Sequence, residues 1–270
     1  SFRAAVAEAV NGTFLDGFVF LTAGESSGSN LSLPYLAFYG DWSAAPILDG
    51  QFIDGDSAHH MRSSYVYSAS NGNYYLGQNA FDGTYGIDPN KYVISADSMA
   101  QIFAELGTVT GMLRNAEQVT YTVTQKDTGR IMQQDVFNQV KKSYYFVSAG
   151  VVTYAEAFLP YAPTFSGLDS SGREIAEGWY TFAVAATRPG SQELDTWTFD
   201  FYYDTTPPKL EGAEIVGETG QQKLVLHLSD NHYMSALQLV NSSGQAVKTF
   251  TFGDPDNLDA RQTDGRSLNT

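Results

Sequence analysis

The chain has 270 residues, more than one ordinary small domain needs and enough for two or three. Its 30 acidic residues against 15 basic ones leave a net charge of −15, which repels phosphate backbones and anionic membranes and weighs against nucleic-acid binding. With 43% hydrophobic and 14% aromatic residues the chain can fill real cores, and with no cysteine it can form neither disulfides nor thiolate metal sites.

Taken in chain order, Phe2 to Val10 has short-helix character but too little apolar length and basic charge for a signal peptide, and it begins as though cut from a longer chain. No run of about 18 apolar residues follows anywhere, so no membrane-spanning helix is expected. Phe18 to Leu21 reads as a strand. In Leu31 to Trp42 one strand face would carry Leu31, Leu33, Tyr35, Ala37 and Tyr39, and the other Leu36 and Phe38. Both faces are largely apolar. Such a strand is expected inside a sandwich or covered by a neighbouring domain. A row of rings could instead stack on carbohydrate, but Pro34 and Gly40 interrupt it.

Gln51 to Asp97 is rich in Gly, Asn, Asp, Ser and Tyr and reads as a long irregular loop. Ser98 to Leu106 is a second candidate short helix. Beyond it, period-two alternation takes over. Val119, Tyr121 and Val123 alternate with threonines, Trp197, Phe199, Phe201 and Tyr203 with Thr198, Asp200 and Tyr202, and Leu224, Leu226 and Leu228 with Val225 and His227. Between these strands lie turn clusters at Asp127-Thr128-Gly129, Asp169-Ser170-Ser171-Gly172 and Asn241-Ser242-Ser243-Gly244. At Thr205-Thr206-Pro207-Pro208 two prolines stiffen a linker. The pattern predicts an all-β chain of antiparallel sandwiches in three blocks: residues 1–105 with the long loop 51–97, residues 106–208, and a partial block 209–270.

Three segments imitate catalytic motifs. Asp127-Thr128-Gly129 matches a subtilase aspartate tripeptide, and Asp97-Ser98-Met99-Ala100 the end of a subtilase nucleophile motif, but the order is reversed and no His-Gly-Thr exists. Gly24-Glu25-Ser26-Ser27-Gly28 spells Gly-x-Ser-x-Gly, which needs a helix after it, yet Pro34 and the aromatic row follow. Turns are expected at the first and third. No catalytic residue is assigned.

The four histidines, His59, His60, His227 and His232, do not make up a zinc ligand set. Asp54 with Asp56, and Asp254, Asp256 and Asp259, could offer oxygen ligands to calcium, but neither group follows the twelve-residue loop, so solvated turns are expected and no cofactor or metal residue is assigned. Asn11, Asn30 and Asn241 open formal glycosylation sequons.

Ordered segments across most of the chain resemble the accessory region of cell-envelope subtilisin-like serine proteases of the lactocepin and complement-peptidase type. They are NGTFLDGFVFL (11–21), LSLPYLAFYGDWSAAPILD (31–49), YYLGQNAFDG (74–83), MLRNAEQVTYTV (112–123), LDSSGREIAEGWYTFAVAAT (168–187), WTFDFYYDTTPPKL (197–210) and LHLSDNHYMSALQLVNSSGQ (226–245). The resemblance implies tandem fibronectin-type-III-like sandwiches, the first lacking its leading strands and the third cut short. It implies a secreted or cell-surface, cell-wall-associated location. It further implies a non-catalytic role as spacer, as packing partner of the parent's protease domain, and as a contact surface for protein or peptide substrates. After Asp88-Pro89-Asn90-Lys91 family members often carry a Ser-Pro-Asn-Gly-Asp-like loop where this chain reads Ile94-Ser95-Ala96-Asp97-Ser98, so no ion site is carried over. A surface adhesin or carbohydrate-binding sandwich is the alternative; a freestanding enzyme is the least favoured class.

Overall fold

The computed structural model describes residues 13–24, 28–41, 46–55, 64–72, 74–78, 86–95, 103–142, 144–155, 163–232, 236–251 and 267–269. Apart from two single 3-10 turns, Phe52–Asp54 and Pro89–Lys91, every regular element in them is a strand, so the chain is all-β as its alternation predicts. It divides into two compact units, residues 1–46 and 47–270.

The first unit holds one antiparallel hairpin of β1 (Thr13–Leu21) and β2 (Leu31–Tyr39), in register from Thr13 opposite Tyr39 to Leu21 opposite Leu31. Gly17 faces Tyr35, and a Cβ there would lie 2.8 Å from the Tyr35 hydroxyl, so the glycine makes room for the ring. The row expected to be interior is open: Leu31 is 62% exposed, Leu36 72% and Phe20 73%. Among the described residues of this unit the two strands make up a single layer, and a hairpin by itself is marginal in water.

The second unit is built on a five-stranded sheet. Its strands are β4 (Val93–Ser95), β6 (Ala116–Gln125), β7 (Ile131–Val140), β10 (Gly178–Thr187) and β11 (Leu194–Asp204), in the order β4-β11-β10-β6-β7. All neighbours run antiparallel except β4, which lies parallel to β11. Alternation puts Val119, Tyr121 and Val123, then Tyr180, Phe182 and Val184, then Phe199, Phe201 and Tyr203 on the buried face. Register stacks Phe182 against Phe199 with ring centroids 5.2 Å apart, and Tyr180 against Phe201 at 5.8 Å.

Opposite that face, β3 (Tyr65–Ser68) pairs with β5 (Leu106–Val109), and Val66, Leu106, Ile47, Leu76 and Phe165 join the same core. Covering each large apolar side chain contributes roughly 1.5–3 kcal/mol. The stretch 51–97, expected as loop, thus carries β3 and β4 in its described parts, and segments on both sides of residue 105 share one core. These strands are only four and three residues long, too short to show alternation among loop-forming neighbours.

Further along lie the hairpin of β8 (Tyr144–Ser148) and β9 (Val151–Ala155), the sheet of β12 (Lys209–Val216), β13 (Lys223–Ser229) and β16 (Ser267–Asn269), and the pair of β14 (Ala236–Val240) and β15 (Ala246–Thr251). Leu210, Ile215 and Val247 are exposed there. The candidate helix Phe2–Val10 and most of Ser98–Leu106 lie outside the described residues; Leu106 itself opens β5.

Candidate functional site

Of the sequence motifs, Asp127-Thr128-Gly129 is the hairpin turn between β6 and β7: Gly129 takes a φ of 69° and its N–H donates to the Gln125 carbonyl at 2.8 Å. Two residues separate Gly28 from β2, so no helix stands where the Gly-x-Ser-x-Gly elbow needs one. His227 Nε2 lies 3.3 Å from Glu214 Oε1 on the exposed β12–β13 sheet. Asn30 Oδ1 accepts from Ala23 N at 3.0 Å, and Asn241 Oδ1 from three donors in its own turn. Asn11, Glu25–Ser27, Trp42, Asp56, His59, His60, Asp97–Ala100 and Asp254–Asp259 lie outside the described residues. Among the described residues no group of three or more His, Asp or Glu side chains is placed to hold a metal ion, and no helix is long and apolar enough to cross a membrane.

Two constellations emerge that the motifs did not announce. The first is a groove of about 830 Å³ on the outer side of the five-stranded sheet. Strand phase sets one wall: Trp179 on β10 pairs with Tyr202 on β11, and Thr181 with Asp200, so Trp179 and Asp200 share the face opposite the core. Asp200 accepts a hydrogen bond from Thr181 Oγ1 at 2.7 Å and forms an ion pair with Lys126, the residue that follows β6. Burial alone would raise the Asp200 carboxyl, but the bonds from Lys126 and Thr181 bring it below its ordinary range. Asp127 stands beside Lys126 on the rim.

The other wall comes from the two 3-10 turns and brings Ile53, Asp54, Pro89 and Tyr92 to the groove. Asp88 Oδ1 accepts from Asn90 N at 3.0 Å and caps the Pro89–Lys91 turn. Gly77, at a φ of 79°, lets that turn approach, since a Cβ there would fall 2.5 Å from the Asp88 carbonyl oxygen. Tyr92 is buried edge-on to Phe199, and its phenol is pushed up to about 12 by burial, then by the carboxylates of Asp54 and Asp88.

The second constellation is the joint after β11. Glu177, just before β10, accepts through Oε2 from Thr205 N and Thr205 Oγ1, both at 3.1 Å, and from Thr206 Oγ1 at 2.6 Å. Through Oε1 it accepts from Tyr202 Oη at 3.2 Å and from Asn231 Nδ2, beyond β13, at 2.6 Å. These donors, Thr206 first, hold the Glu177 carboxyl below its usual value. The His232 ring lies flat on Tyr202 with centroids 4.3 Å apart and meets Trp179 edge-on at 5.5 Å. Asp204 is buried, and burial together with Asp230 and Glu177 pushes its carboxyl up to about 6.

Such an arrangement can bind and brace. The groove offers an indole, amides from Gln51 and Asn90 and carboxylates on its rim; the joint ties β10, β11 and β13 together through one side chain.

By fold the chain is of the all-β, sandwich type. No family model matches it. It is similar, at 23% identity over 93% of its length, to the PII-type proteinases of Lactococcus lactis subsp. cremoris and of Lacticaseibacillus paracasei. It is 24% identical over the same share to the PIII-type proteinase of Lactococcus lactis subsp. cremoris (strain SK11). The chain spans only 13% of each of these relatives.

Proposed function

We propose that this chain is a non-catalytic accessory region of a secreted, cell-wall-associated subtilisin-like serine protease. It consists of fibronectin-type-III-like sandwiches, acts as a spacer and packing partner of the protease domain, and presents a contact surface to protein substrates. The observation that carries this reading is the similarity to proteinases along 93% of the chain, in a segment whose described elements are all β. Three features support it. The subtilase-like tripeptide at Asp127 is a hairpin turn; Glu177 stiffens the Thr205–Pro208 joint, as a spacer requires; and the groove supplies a surface able to hold an extended ligand.

The test compares the parent protease with and without residues 47–270, using a short chromogenic peptide and a full-length casein. Retained turnover of the short peptide with impaired cleavage of casein is expected. Hydrolysis of casein by the purified 270-residue chain alone, insensitive to removal of trace protease by a serine-directed inhibitor, would overturn the reading, as would casein cleavage unaffected by the deletion.

A further inference from the structure

We propose that the groove between Trp179 and Asp54 takes a lysine or arginine side chain of an extended polypeptide. This rests on the reading of the chain as a contact surface for protein substrates and names the place and chemistry of that contact.

The reasoning begins with what the groove presents. Its apolar parts are Ile53, Pro89, Phe199 and the Trp179 indole, which is 38% exposed although it also packs against Tyr202 and His232. An exposed indole costs free energy in water unless something covers it. Its charged parts do not cancel. Lys126 is matched by Asp200, which leaves Asp54 and Asp127, neither with an ion-pair partner among the described residues. The groove therefore holds two net negative charges beside an aromatic face.

A ligand that satisfies both must be apolar along its length and cationic at its tip, which describes a lysine or arginine side chain. The stem would lie along Ile53 and Pro89, with the cation near the Trp179 face and the Asp54 and Asp127 carboxylates. The amides of Gln51 and Asn90 can bond the ligand's backbone. Asp54 lines the groove together with Tyr92, whose phenol is raised first by burial and then by that carboxylate, in keeping with a negative charge that favours a cation there. The chain's net charge of −15 would draw basic polypeptides in at long range. A neutral saccharide would use the indole and amides but leave the two carboxylates without purpose, and an acidic peptide would be repelled.

The experiment titrates the whole 270-residue chain, labelled with nitrogen-15, with the peptide acetyl-Gly-Arg-Gly-Lys-Gly-amide, and follows the Trp179 indole resonance. Parallel titrations use the same peptide with glutamate at both charged positions and a neutral cello-oligosaccharide. Saturable shifts with the basic peptide alone are expected, weakened about tenfold or more in the Asp54→Asn/Asp127→Asn double variant and by added salt. Both substitutions lie on exposed turn positions, and an unchanged amide spectrum elsewhere establishes that the variant is folded. Shifts that the acidic peptide matches, that the double variant leaves intact, or that only the saccharide produces would overturn the proposal. A second titration with an unfolded casein separates the two levels of the reading. Equal binding of casein by both forms would remove the groove and keep the contact surface elsewhere, whereas binding by neither would remove both.

Discussion

Glu177 and Asn231 stand 54 positions apart in the chain, yet Asn231 Nδ2 donates to Glu177 Oε1 at 2.6 Å, while the other oxygen of the same carboxylate gathers Thr205 and Thr206. One side chain thereby joins the linker, β11 before it and the segment that follows β13. Two prolines restrict φ within the linker, but the hydrogen bonds set the direction in which it leaves β11.

Replacing Glu177 should loosen this joint. Glu177→Ala removes acceptors from five donors and is expected to cost about 1–3 kcal/mol, while Glu177→Gln, which keeps one carbonyl oxygen, costs less. Urea unfolding at pH 7 checks both, and small-angle scattering reports any widening at the joint. An Ala variant as stable as the parent chain would show that the clamp contributes nothing.

Asp204 makes the joint sensitive to acidity. Its folded carboxyl titrates near 6, above the ordinary aspartate value of roughly 3.9 in an unfolded chain, so the folded state binds the extra proton between those values. Stability from this group is therefore greatest below about pH 4 and is lost as pH rises through about 6. Glu177 acts in the opposite sense: its lowered carboxyl contributes fully above the unfolded value and loses that contribution as pH falls through its folded one. Asp204→Asn, whose amide oxygen can still accept from Thr206 N, should raise stability by about 1–2 kcal/mol at pH 7.5 and flatten the dependence between pH 5 and 7. Thermal unfolding of the two forms across that range measures it; parallel profiles would refute it.

Gly167 adopts a φ of 80° against the ring of Tyr203, a buried core side chain, while its carbonyl accepts from Ile175 N at 2.9 Å. Gly167→Ala would strain the backbone and press a methyl group into that ring. A loss of about 2–4 kcal/mol is expected, against about 1 kcal/mol for Gly172→Ala, which carries the backbone strain of a similar φ of 75° but has open space around it. Denaturant midpoints of the two variants check the contrast.

The β1–β2 hairpin of the isolated chain, with Leu36 and Phe20 exposed, should exchange its amide hydrogens roughly a hundredfold or more faster than β10 and β11, whose inner faces are buried. Hydrogen–deuterium exchange read by mass spectrometry resolves the two regions. Equal protection would mean that these apolar faces are covered in solution.

Much of the fold is legible in the residues. The alternations at Val119–Val123 and Trp197–Tyr203 became β6 and β11, each with the expected rings facing the core. Turn chemistry is equally local. Asp169 and Asn241, each opening an x-Ser-Ser-Gly cluster, accept from the same three positions: the N–H and hydroxyl of the second following serine and the N–H four residues on. Such bonds depend only on neighbours in sequence, so a pattern of four or five residues contains the whole cause.

What the residues could not disclose by themselves depends on partners far along the chain. The parallel pairing of β4 with β11 and the pairing of β3 with β5 involve strands of three and four residues, whose stability comes from the surface they meet and not from their own pattern. The groove exists because two 3-10 turns near residues 52 and 90 are brought to the outer face of strands more than eighty residues downstream, and Glu177 is a clamp only because the joint returns to it. Alternation decides which side of a strand is dry, since burial acts on each residue type separately; which strand lies beside which is settled by packing among surfaces that no single stretch contains.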